Sequence, residues 1–352
     1  MTCKATAAAQ NNNNLSGTLP PEWGQFNSFR ALELLFLGDN NIEGLLLAFN
    51  QLSGSLPPSW GSQGAFPALG DLYLHRNRLS GSLPLSWGAP GSLPNLRWLS
   101  AFDNQLTGPL PSSWGASPQV LPNLRNLFIS GNNFSGPLPA DWGRPNAFPQ
   151  LRNLDLSYNP GLFGPLPDSW GLSSAFPSLQ QLRLANCSIR GTLPASWGSS
   201  AGLDSLAALT LQGNQLSGSI PAEWAQRAGF GAPPLTVVVR PGNGGLCGSV
   251  PDGVLLVAAS NSSGEGTPGL PELGPVGGDS ARGEPASVQG FTAMLLEASG
   301  DEEAHMRSIL FAGDAPAGGS AGGASNGGSS GGSGRRQSQD ASLINTVQLP
   351  VC

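Results

Sequence analysis

Leucine recurs in a fixed pattern through the first two thirds of the chain, and the pattern repeats every 27 or 28 residues. The segment LDLSYNPGLFGPLPDSWG at residues 154–171 is one copy, and related segments run from about Leu15 to Trp224. One tryptophan marks each copy, at Trp60, Trp87, Trp114, Trp142, Trp170, Trp197 and Trp224. A unit of this length cannot bury its own apolar face, so successive units must stack and cover one another. The pattern therefore predicts a solenoid.

Within one copy, the order of apolar and polar positions predicts a short strand followed by a polar turn. Leu151, Leu154 and Leu156 form an LxxLxL pattern whose last part alternates between the core and the opposite face. Asn159 follows three residues later, and its amide can bond the backbone of a neighbouring turn. Stacked copies predict an internal asparagine ladder at Asn50, Asn77, Asn104, Asn132, Asn159, Cys187 and Asn214. Cys187 is the exception, and a small buried thiol is a tolerable substitute. The tryptophans are expected to pack as a column on the convex side.

Composition narrows the classes of function. The net charge is -6 and only 11% of residues are charged, which excludes a strong electrostatic nucleic-acid binder. The sequence has no run of 18 apolar residues, so it predicts no membrane span. The four cysteines are too few and too scattered to form a disulfide scaffold, and no two of them have the CxxC spacing of a metal site. We expect no catalytic residues, no metal and no cofactor.

Two segments, LGDLYLHRNRLSGSLP (69–84) and LAALTLQGNQLSGSIP (206–221), carry the pattern LxxLxLxxNxLSGxLP. This pattern resembles the plant-type leucine-rich repeat (LRR), and the added SWG resembles a variant of green-algal LRR proteins. The resemblance implies an α/β-type repeat solenoid, mostly β and coil, wound as a right-handed horseshoe with a parallel concave β-sheet. It also implies a short second strand at SGxLP. Plant relatives include receptor-kinase ectodomains, receptor-like proteins and polygalacturonase inhibitors.

The resemblance divides the chain into four regions. Residues 1–12 are expected to be a degenerate or truncated N-terminal cap, 13–234 the repeats, 235–251 a C-terminal cap, and 252–352 a disordered tail rich in Gly, Ser and Ala. Asn40 and Asn50 are only 10 residues apart, which predicts a defect in the repeats near 40–48. A gene-model fault is the preferred cause, and a genuine irregular turn is the alternative. Whether Cys247 and Cys352 pair is left open.

Residues that alternate with the strand leucines are expected on the concave face, where large exposed rings and arginines favour recognition. The candidate ligand-binding residues are Tyr73, His75, Arg76, Trp98, Phe102, Phe128, Asp155, Tyr158 and Arg183. The alternative is that the aromatic rings only shield one another. Asp71, His75 and Asp103 could also meet as a cation or acid–base site, but an exposed sheet offers no dry pocket for one.

The function that we expect is a non-enzymatic recognition module that binds a protein, peptide or glycan through the concave face. The alternatives are an intracellular scaffold, cytoskeletal or ciliary, and an inhibitor of cell-wall-degrading enzymes. A receptor kinase is disfavoured because no kinase motifs follow the repeats. The location is extracellular or at the cell surface if the N-terminus is truncated, and otherwise cytoplasmic, including the ciliary axoneme. Sequons stand at Asn14, Asn133, Asn186 and Asn261. We expect a monomer.

Overall fold

The computed structural model of the chain describes residues 16–19, 21–24, 45–198, 203–230, 234–258 and 349–352. These residues form two parallel sheets of nine strands each, with even-numbered strands in one and odd-numbered strands in the other. The first, here called the front sheet, contains β2 (Leu45–Leu46), β4 (Asp71–Tyr73), β6 (Trp98–Ser100), β8 (Asn126–Phe128), β10 (Asn153–Asp155), β12 (Gln181–Arg183), β14 (Ala208–Thr210), β16 (Leu235–Arg240) and β18 (Val254–Ala258). The described part of the chain contains no helix long and apolar enough to cross a membrane.

The second sheet, here called the back sheet, is built from the SGxLP segments. It contains β1 (Ser16–Thr18), β3 (Gln51–Ser55), β5 (Arg78–Gly81), β7 (Gln105–Gly108), β9 (Asn133–Gly136), β11 (Gly161–Gly164), β13 (Ser188–Gly191), β15 (Gln215–Ser219) and β17 (Gly245–Cys247). Short 3₁₀ segments follow at Pro21–Gly24, Pro58–Gly61, Leu85–Gly88, Ser112–Gly115, Ala140–Gly143, Asp168–Gly171, Ala195–Gly198 and Ala222–Phe230. One front strand, one back strand and one 3₁₀ segment make one coil of the solenoid.

The leucines of successive coils lie in register, as the repeat predicts. Leu154 in β10 pairs with Leu127 in β8 and with Leu182 in β12, and all three side chains are buried. Each coil thus covers the apolar side of the next, and burial of each such leucine contributes roughly 1.5–3 kcal/mol. The predicted solenoid with a parallel sheet is confirmed.

The asparagine ladder is also present, and it has a direction. Asn104 donates from Nδ2 to the carbonyl oxygen of Leu74 at 2.9 Å and accepts at Oδ1 from the N–H of Leu79 at 3.0 Å. Both partners belong to the preceding coil. Asp103, the residue before this asparagine, has a φ of 53°, a left-handed conformation that turns the amide into the core. Each ladder asparagine of this kind therefore bonds backward along the solenoid.

The coil before Cys187 explains why a thiol is tolerated there. Between Asn159 and Leu162 this coil carries one residue more than Asn132 to Phe134 does. The N–H of Leu162 donates to the carbonyl of its own Asn159 at 3.0 Å. It consequently needs no acceptor from the next coil. The thiol of Cys187 keeps only the donor role, 3.6 Å from the carbonyl oxygen of Leu156.

The tryptophans form the predicted buried column. The ring of Trp170 lies parallel to those of Trp142 and Trp197, with centroids 6.3 Å apart in both pairs. A glycine follows every tryptophan of the column from Trp60 to Trp197, because the next coil passes very close. A Cβ on Gly198 would lie 2.5 Å from the Cα of Trp224, which only glycine avoids.

The C-terminal end extends further than the sequence predicts. The tail was expected from residue 252, but β18 adds a strand beside β16 over the β-branched and leucine run VLLVA. The last residues also join the cap, because Gly248 donates to the carbonyl oxygen of Pro350 and Cys247 forms a disulfide with Cys352. The remainder of the predicted tail, residues 259–348, lies outside the described residues.

The predictions for the N-terminal region concern residues that are mostly outside the described part. The predicted cap, residues 1–12, and residues 40–44 of the predicted defect lie outside it. The residues that are described on either side are paired, because Gly17 in β1 is the partner of Leu52 in β3 and Leu45 in β2 is the partner of Leu72 in β4. The defect and its cause stay predictions.

Candidate functional site on the front sheet

The surface of the front sheet that faces away from the core, here called the front face, is the predicted concave face. Strand alternation places three positions of each coil on it, which are the first and third residues of the strand and the second residue after it. The first row contains Asp71, Trp98, Asn126, Asn153 and Gln181, the second Tyr73, Ser100, Phe128, Asp155, Arg183 and Thr210, and the third His75, Phe102, Ser130, Ser157, Ala185 and Gln212. The candidate residues of these rows therefore share one surface.

An aromatic cluster occupies the N-terminal coils of this face. The ring centroid of Trp98 lies 6.0 Å from that of Tyr73 and 5.3 Å from that of Phe128, distances at which rings attract one another. The expected exposure of these rings is wrong, because Tyr73, Trp98 and Phe128 are 2%, 7% and 4% exposed. Neighbouring rings on adjacent strands, about 4.8 Å apart, shield one another's edges.

His75 is buried among aromatic rings and is neutral at physiological pH. Its ring stacks on Phe102 with centroids 4.4 Å apart, and Nδ1 lies 3.0 Å from the hydroxyl of Ser100. Burial, with a smaller contribution from the charge of Arg76, lowers the pKa of His75 to about 3. The imidazole therefore acts here as a flat aromatic surface.

Arg76 and Asp103 form an ion pair at the margin of the aromatic cluster. Nε of Arg76 lies 3.4 Å from Oδ2 of Asp103, and its guanidinium carbon lies 4.8 Å from the ring centroid of Phe49. Burial raises the pKa of Asp103, and the charge of Arg76 opposes that shift. Asp71 pairs separately with Arg97 at 3.4 Å. Among the described residues, no group of three or more His, Cys, Asp or Glu side chains could hold a metal ion.

The front face is polar in the coils of β10 and β12. Asp155 accepts from the backbone N–H of Ser157 at 2.9 Å, and Arg183 donates to Oε1 of Gln181 at 2.9 Å. Tyr158 follows the third row at a φ of 56°, and burial followed by the charge of Asp155 raises the pKa of its hydroxyl to about 12. The predicted candidates Asp155, Tyr158 and Arg183 thus lie together, apart from the aromatic cluster.

Polar atoms without partners were missed by the sequence reasoning. Nε1 of Trp98, Oδ1 of Asn153, Oγ1 of Thr210 and Oε1 of Gln212 are buried and have no hydrogen-bond partner in the described part of the chain. A buried polar atom without a partner costs about 1–3 kcal/mol, so such atoms call for an explanation. Alternation alone could have placed these residues on the front face, but only the coordinates show which atoms lack a partner.

A column of arginines was missed as well. Arg97, Arg125 and Arg152, here called the arginine column, stand immediately before β6, β8 and β10. The backbone N–H of Arg125 bonds the carbonyl of Arg97, and that of Arg152 bonds the carbonyl of Arg125, both at 2.8 Å. Their spacing of 28 and 27 residues was visible in the sequence. They precede the alternating positions of the strands, so strand alternation alone does not place them on the front face.

Two of the four sequons lie in described residues. Asn133 is exposed at the start of β9, and Ser135 of the same sequon is exposed too. Asn186 is half-buried with a φ of 52°, directly before Cys187. Asn14 and Asn261 lie outside the described residues.

The thiol of Cys187 is unreactive. Burial raises the pKa of this thiol to about 12, so the sulfur is a neutral group at physiological pH.

Comparison with known proteins supports the architecture. A leucine-rich repeat family model matches residues 123–144 and 178–200. No curated protein matches the chain. Among solved structures, a TDR receptor is 30% identical with a TM-score of 0.53, over 70% of this chain and 37% of that one. The plant peptide hormone receptor RGFR1, solved in complex with RGF2, is 27% identical with a TM-score of 0.53, over 70% and 34%.

A third similar structure is the LRR ectodomain of the plant membrane receptor kinase GASSHO1/SCHENGEN3 from Arabidopsis thaliana, in complex with CASPARIAN STRIP INTEGRITY FACTOR 2. It is 27% identical with a TM-score of 0.50, over 70% of this chain and 29% of that one. The chain spans about a third of the length of these three structures. In eight successive coils of the described chain, a front strand, a left-handed residue before the ladder position and a short back strand recur in register. The chain is a member of the plant-type leucine-rich repeat family.

Proposed function

We propose that the chain is a non-enzymatic recognition module and that its front face binds a peptide or an extended segment of a protein. The face has two chemically different parts, an aromatic cluster around Trp98 and a polar part around Asp155 and Arg183. A ligand that contacts both parts must run across several strands, as an extended chain does. Rigid strands hold these side chains in place, so little backbone entropy is lost on binding.

The observation that carries the proposal is the set of buried polar atoms without partners. Trp98 carries an N–H donor, Asn153 and Gln212 carry carbonyl oxygens, and Thr210 carries a hydroxyl. Because these atoms are buried, a ligand reaches them only when their side chains rotate toward the front face. Peptide backbone presents N–H and C=O groups at regular intervals and can satisfy both kinds of atom. Two of the similar structures support this proposal, because the peptide hormone receptor RGFR1 is in complex with RGF2 and GASSHO1/SCHENGEN3 is in complex with CASPARIAN STRIP INTEGRITY FACTOR 2.

We also place the protein outside the cell, or at its surface. The disulfide between Cys247 and Cys352 is of a kind that persists in oxidising compartments. The exposed sequon at Asn133 is accessible for glycosylation there. Both observations disfavour the cytoskeletal alternative. An inhibitor of cell-wall-degrading enzymes would also be extracellular, and it would bind a folded enzyme rather than an extended peptide.

The test is selection of peptides from a random library on the immobilised full chain, followed by affinity measurement. Trp98→Phe keeps an aromatic ring but removes the N–H donor, and we expect it to weaken selected peptides about three- to tenfold. Thr107→Ala, an exposed change on the back sheet, is the control and should have no effect. The proposal is contradicted if no peptide is enriched, if enrichment is confined to glycans on a parallel array, or if the two variants behave alike.

A further inference from the structure

We propose that Asp155 and Asn153 form a subsite on the front face for a primary ammonium group of the bound segment. This inference rests on the proposed function, because it names the chemistry of the ligand for the same face. An ammonium group has three N–H donors and no acceptor, so it needs a site that presents acceptors. Both side chains stand on β10 and carry such oxygens, and the net charge of -6 on the chain favours a cation.

Asp155 carries a carboxylate that no cation of the described chain neutralises. The residue is 7% exposed, and its hydrogen bond within the described part is the one that Oδ1 accepts from the N–H of Ser157 at 2.9 Å. None of the ion pairs between described residues includes it. Oδ2 is not among the fully buried atoms without partners, so it is accessible from the front face. A nearly buried carboxylate without a counter-charge is unfavourable, and a cation of the ligand would relieve it.

The charge of this carboxylate acts on its neighbours. Burial is the largest cause of the raised pKa values of Tyr158 and Cys187, and in both cases the negative charge of Asp155 raises the pKa further. It also contributes to the raised pKa of Asp103, after burial and against the opposing effect of Arg76. A cation beside Asp155 would cancel this field, so the surroundings favour a positively charged ligand group.

Asn153 adds a second acceptor on the same strand. It stands two residues before Asp155, so both side chains point to the front face from positions about 6.6 Å apart. Its Nδ2 donates to Oδ1 of Asn126 at 2.6 Å, and its own Oδ1 is buried without a partner in the described residues. When this amide turns toward the front face, one ammonium group can reach both oxygens at about 2.9 Å from each.

The neighbouring strands determine which residues accompany the ammonium group. On β8, the residue in register with Asp155 is Phe128, a ring of the aromatic cluster. On β12 it is Arg183, whose Nη2 donates to Oε1 of Gln181 at 2.9 Å, so its guanidinium is turned toward the first row. The aromatic cluster lies one to two strands from Asp155, at about 4.8 Å per strand. A ligand residue two positions from the ammonium-bearing one, about 6.6 Å away in an extended chain, therefore lies over the cluster and should be apolar.

The experiment titrates peptides into the full chain by isothermal titration calorimetry. The probes are GSFGKSG, GSFGQSG and GSFGESG, each acetylated at the N-terminus and amidated at the C-terminus. We expect the lysine peptide to bind about tenfold more tightly than the glutamine peptide, and the glutamate peptide to bind most weakly. Trimethylation of the lysine keeps the charge but removes every N–H donor, so it should abolish most of the gain. Equal binding of the lysine and glutamine peptides, or of the lysine and trimethyllysine peptides, overturns the inference for a lysine side chain.

A free chain terminus supplies the same chemistry and is tested separately. The peptide GGFSGQS with a free N-terminus carries its ammonium group two residues before phenylalanine, and its acetylated form is the matched control. Preference for the free form alone assigns the subsite to an N-terminus, and preference for the lysine peptide alone assigns it to a side chain. If neither preference is seen, the subsite does not exist.

Variants locate the effect. Asp155→Asn keeps the shape of the side chain and the acceptor for Ser157, and it should lower the affinity of the preferred peptide about tenfold, to that of its neutral control. Asp168→Asn removes the same charge from an exposed residue of the 3₁₀ segment Asp168–Gly171 and should change nothing. The chains are made in the bacterial periplasm, where the sequon that Asp155→Asn creates is not glycosylated.

Thermal unfolding checks that both variants are folded, and the peptide series on the parent chain decides the question if Asp155→Asn is not. Equal weakening by the two variants overturns the inference, because the effect would then follow net charge alone. If library peptides bind the front face without any preference for an ammonium group, this inference fails while the proposed function stands. If no peptide binds at all, both fail.

Discussion

The indole Nε1 of Trp170 donates a hydrogen bond of 2.9 Å to the carbonyl oxygen of Pro139, one coil earlier. The same bond recurs from Trp142 to Pro111 at 2.8 Å and from Trp224 to Pro194 at 2.9 Å. The tryptophan thus contributes more than apolar area. It also gives a second hydrogen bond to a backbone carbonyl that already accepts from its own coil, as the carbonyl of Pro139 does from the N–H of Trp142 at 3.2 Å.

Trp170→Phe is expected to lower the free energy of unfolding by about 1–3 kcal/mol, because it removes this bond and part of the buried ring. Trp98→Phe provides the matched comparison. Its indole N–H has no partner in the described residues, so only ring volume is lost. Denaturant unfolding of both variants measures the difference. A larger loss for Trp98→Phe would show that the bond to proline contributes nothing.

Gly198→Ala should destabilise the solenoid by about 1–3 kcal/mol or more, because the new Cβ would meet the backbone of Trp224. Gly244→Ala is the control, since a Cβ there has nothing within 4 Å. The test compares the melting temperatures of the two variants with that of the parent protein. Equal shifts would mean that neighbouring coils can separate to admit a methyl group.

Asn132→Cys should cost about 1–3 kcal/mol, because the N–H of Leu106 loses its acceptor, now 3.0 Å away. The reverse exchange, Cys187→Asn, should bring no gain. The N–H of Leu162 that it could serve already bonds Asn159. Chemical unfolding of both variants tests the asymmetry. If Cys187→Asn stabilises the protein as much as Asn132→Cys destabilises it, the local bond of Leu162 is unimportant.

Stability should fall on acidification because of His75. Its folded pKa, about 3, lies below the value of about 6.5 for an unfolded chain, so the unfolded state binds the proton first. The contribution of His75 is complete above pH 6.5 and declines by up to about 1.4 kcal/mol per pH unit between there and pH 3. His75→Phe should flatten this dependence relative to the parent between pH 6.5 and 4.5. Identical slopes for both proteins in urea unfolding would exclude the effect.

Asn133 should carry a glycan when the chain is made through a eukaryotic secretory pathway, because both ends of its sequon are exposed. Asn133→Gln should then migrate faster on a denaturing gel, and treatment with an endoglycosidase should remove the difference. Asn186→Gln serves as the comparison, because Asn186 is half-buried next to the core. Absence of any shift at Asn133 would weaken the extracellular assignment.

The periodic parts of the fold were predictable because each coil must bury the same leucine positions and pair the same backbone groups. Leu154 must be buried, and Asn159 must bond a backbone group, whatever the ligand is. The repeat also placed Tyr73, Trp98 and Phe128 on one face correctly. Their burial was not predictable, because it depends on how rings from different coils pack against one another.

Features without a repeating pattern were harder to predict. The composition of residues 252–352 predicts a tail, and the short apolar run of β18 lies within that region. The pairing of Cys247 with Cys352 joins residues 105 positions apart, and no local pattern encodes such a distance. The reason why Cys187 is tolerated lies in the preceding coil, at the extra residue before Leu162. Only coordinates connect these two observations.

The backward direction of the asparagine ladder has a consequence for where the molecule can end. The N–H of Leu79 depends on Asn104, and the N–H of Ile189 depends on Asn214, so each of these coils requires a successor. In two coils this amide does not depend on a successor, because the N–H of Leu162 bonds the carbonyl of its own Asn159 and that of Leu246 bonds the carbonyl of its own Asn243. The second is the site of the C-terminal cap. The first marks an interior point at which a different array could be grafted without a ladder asparagine in the coil that follows, because the amide of Leu162 stays paired.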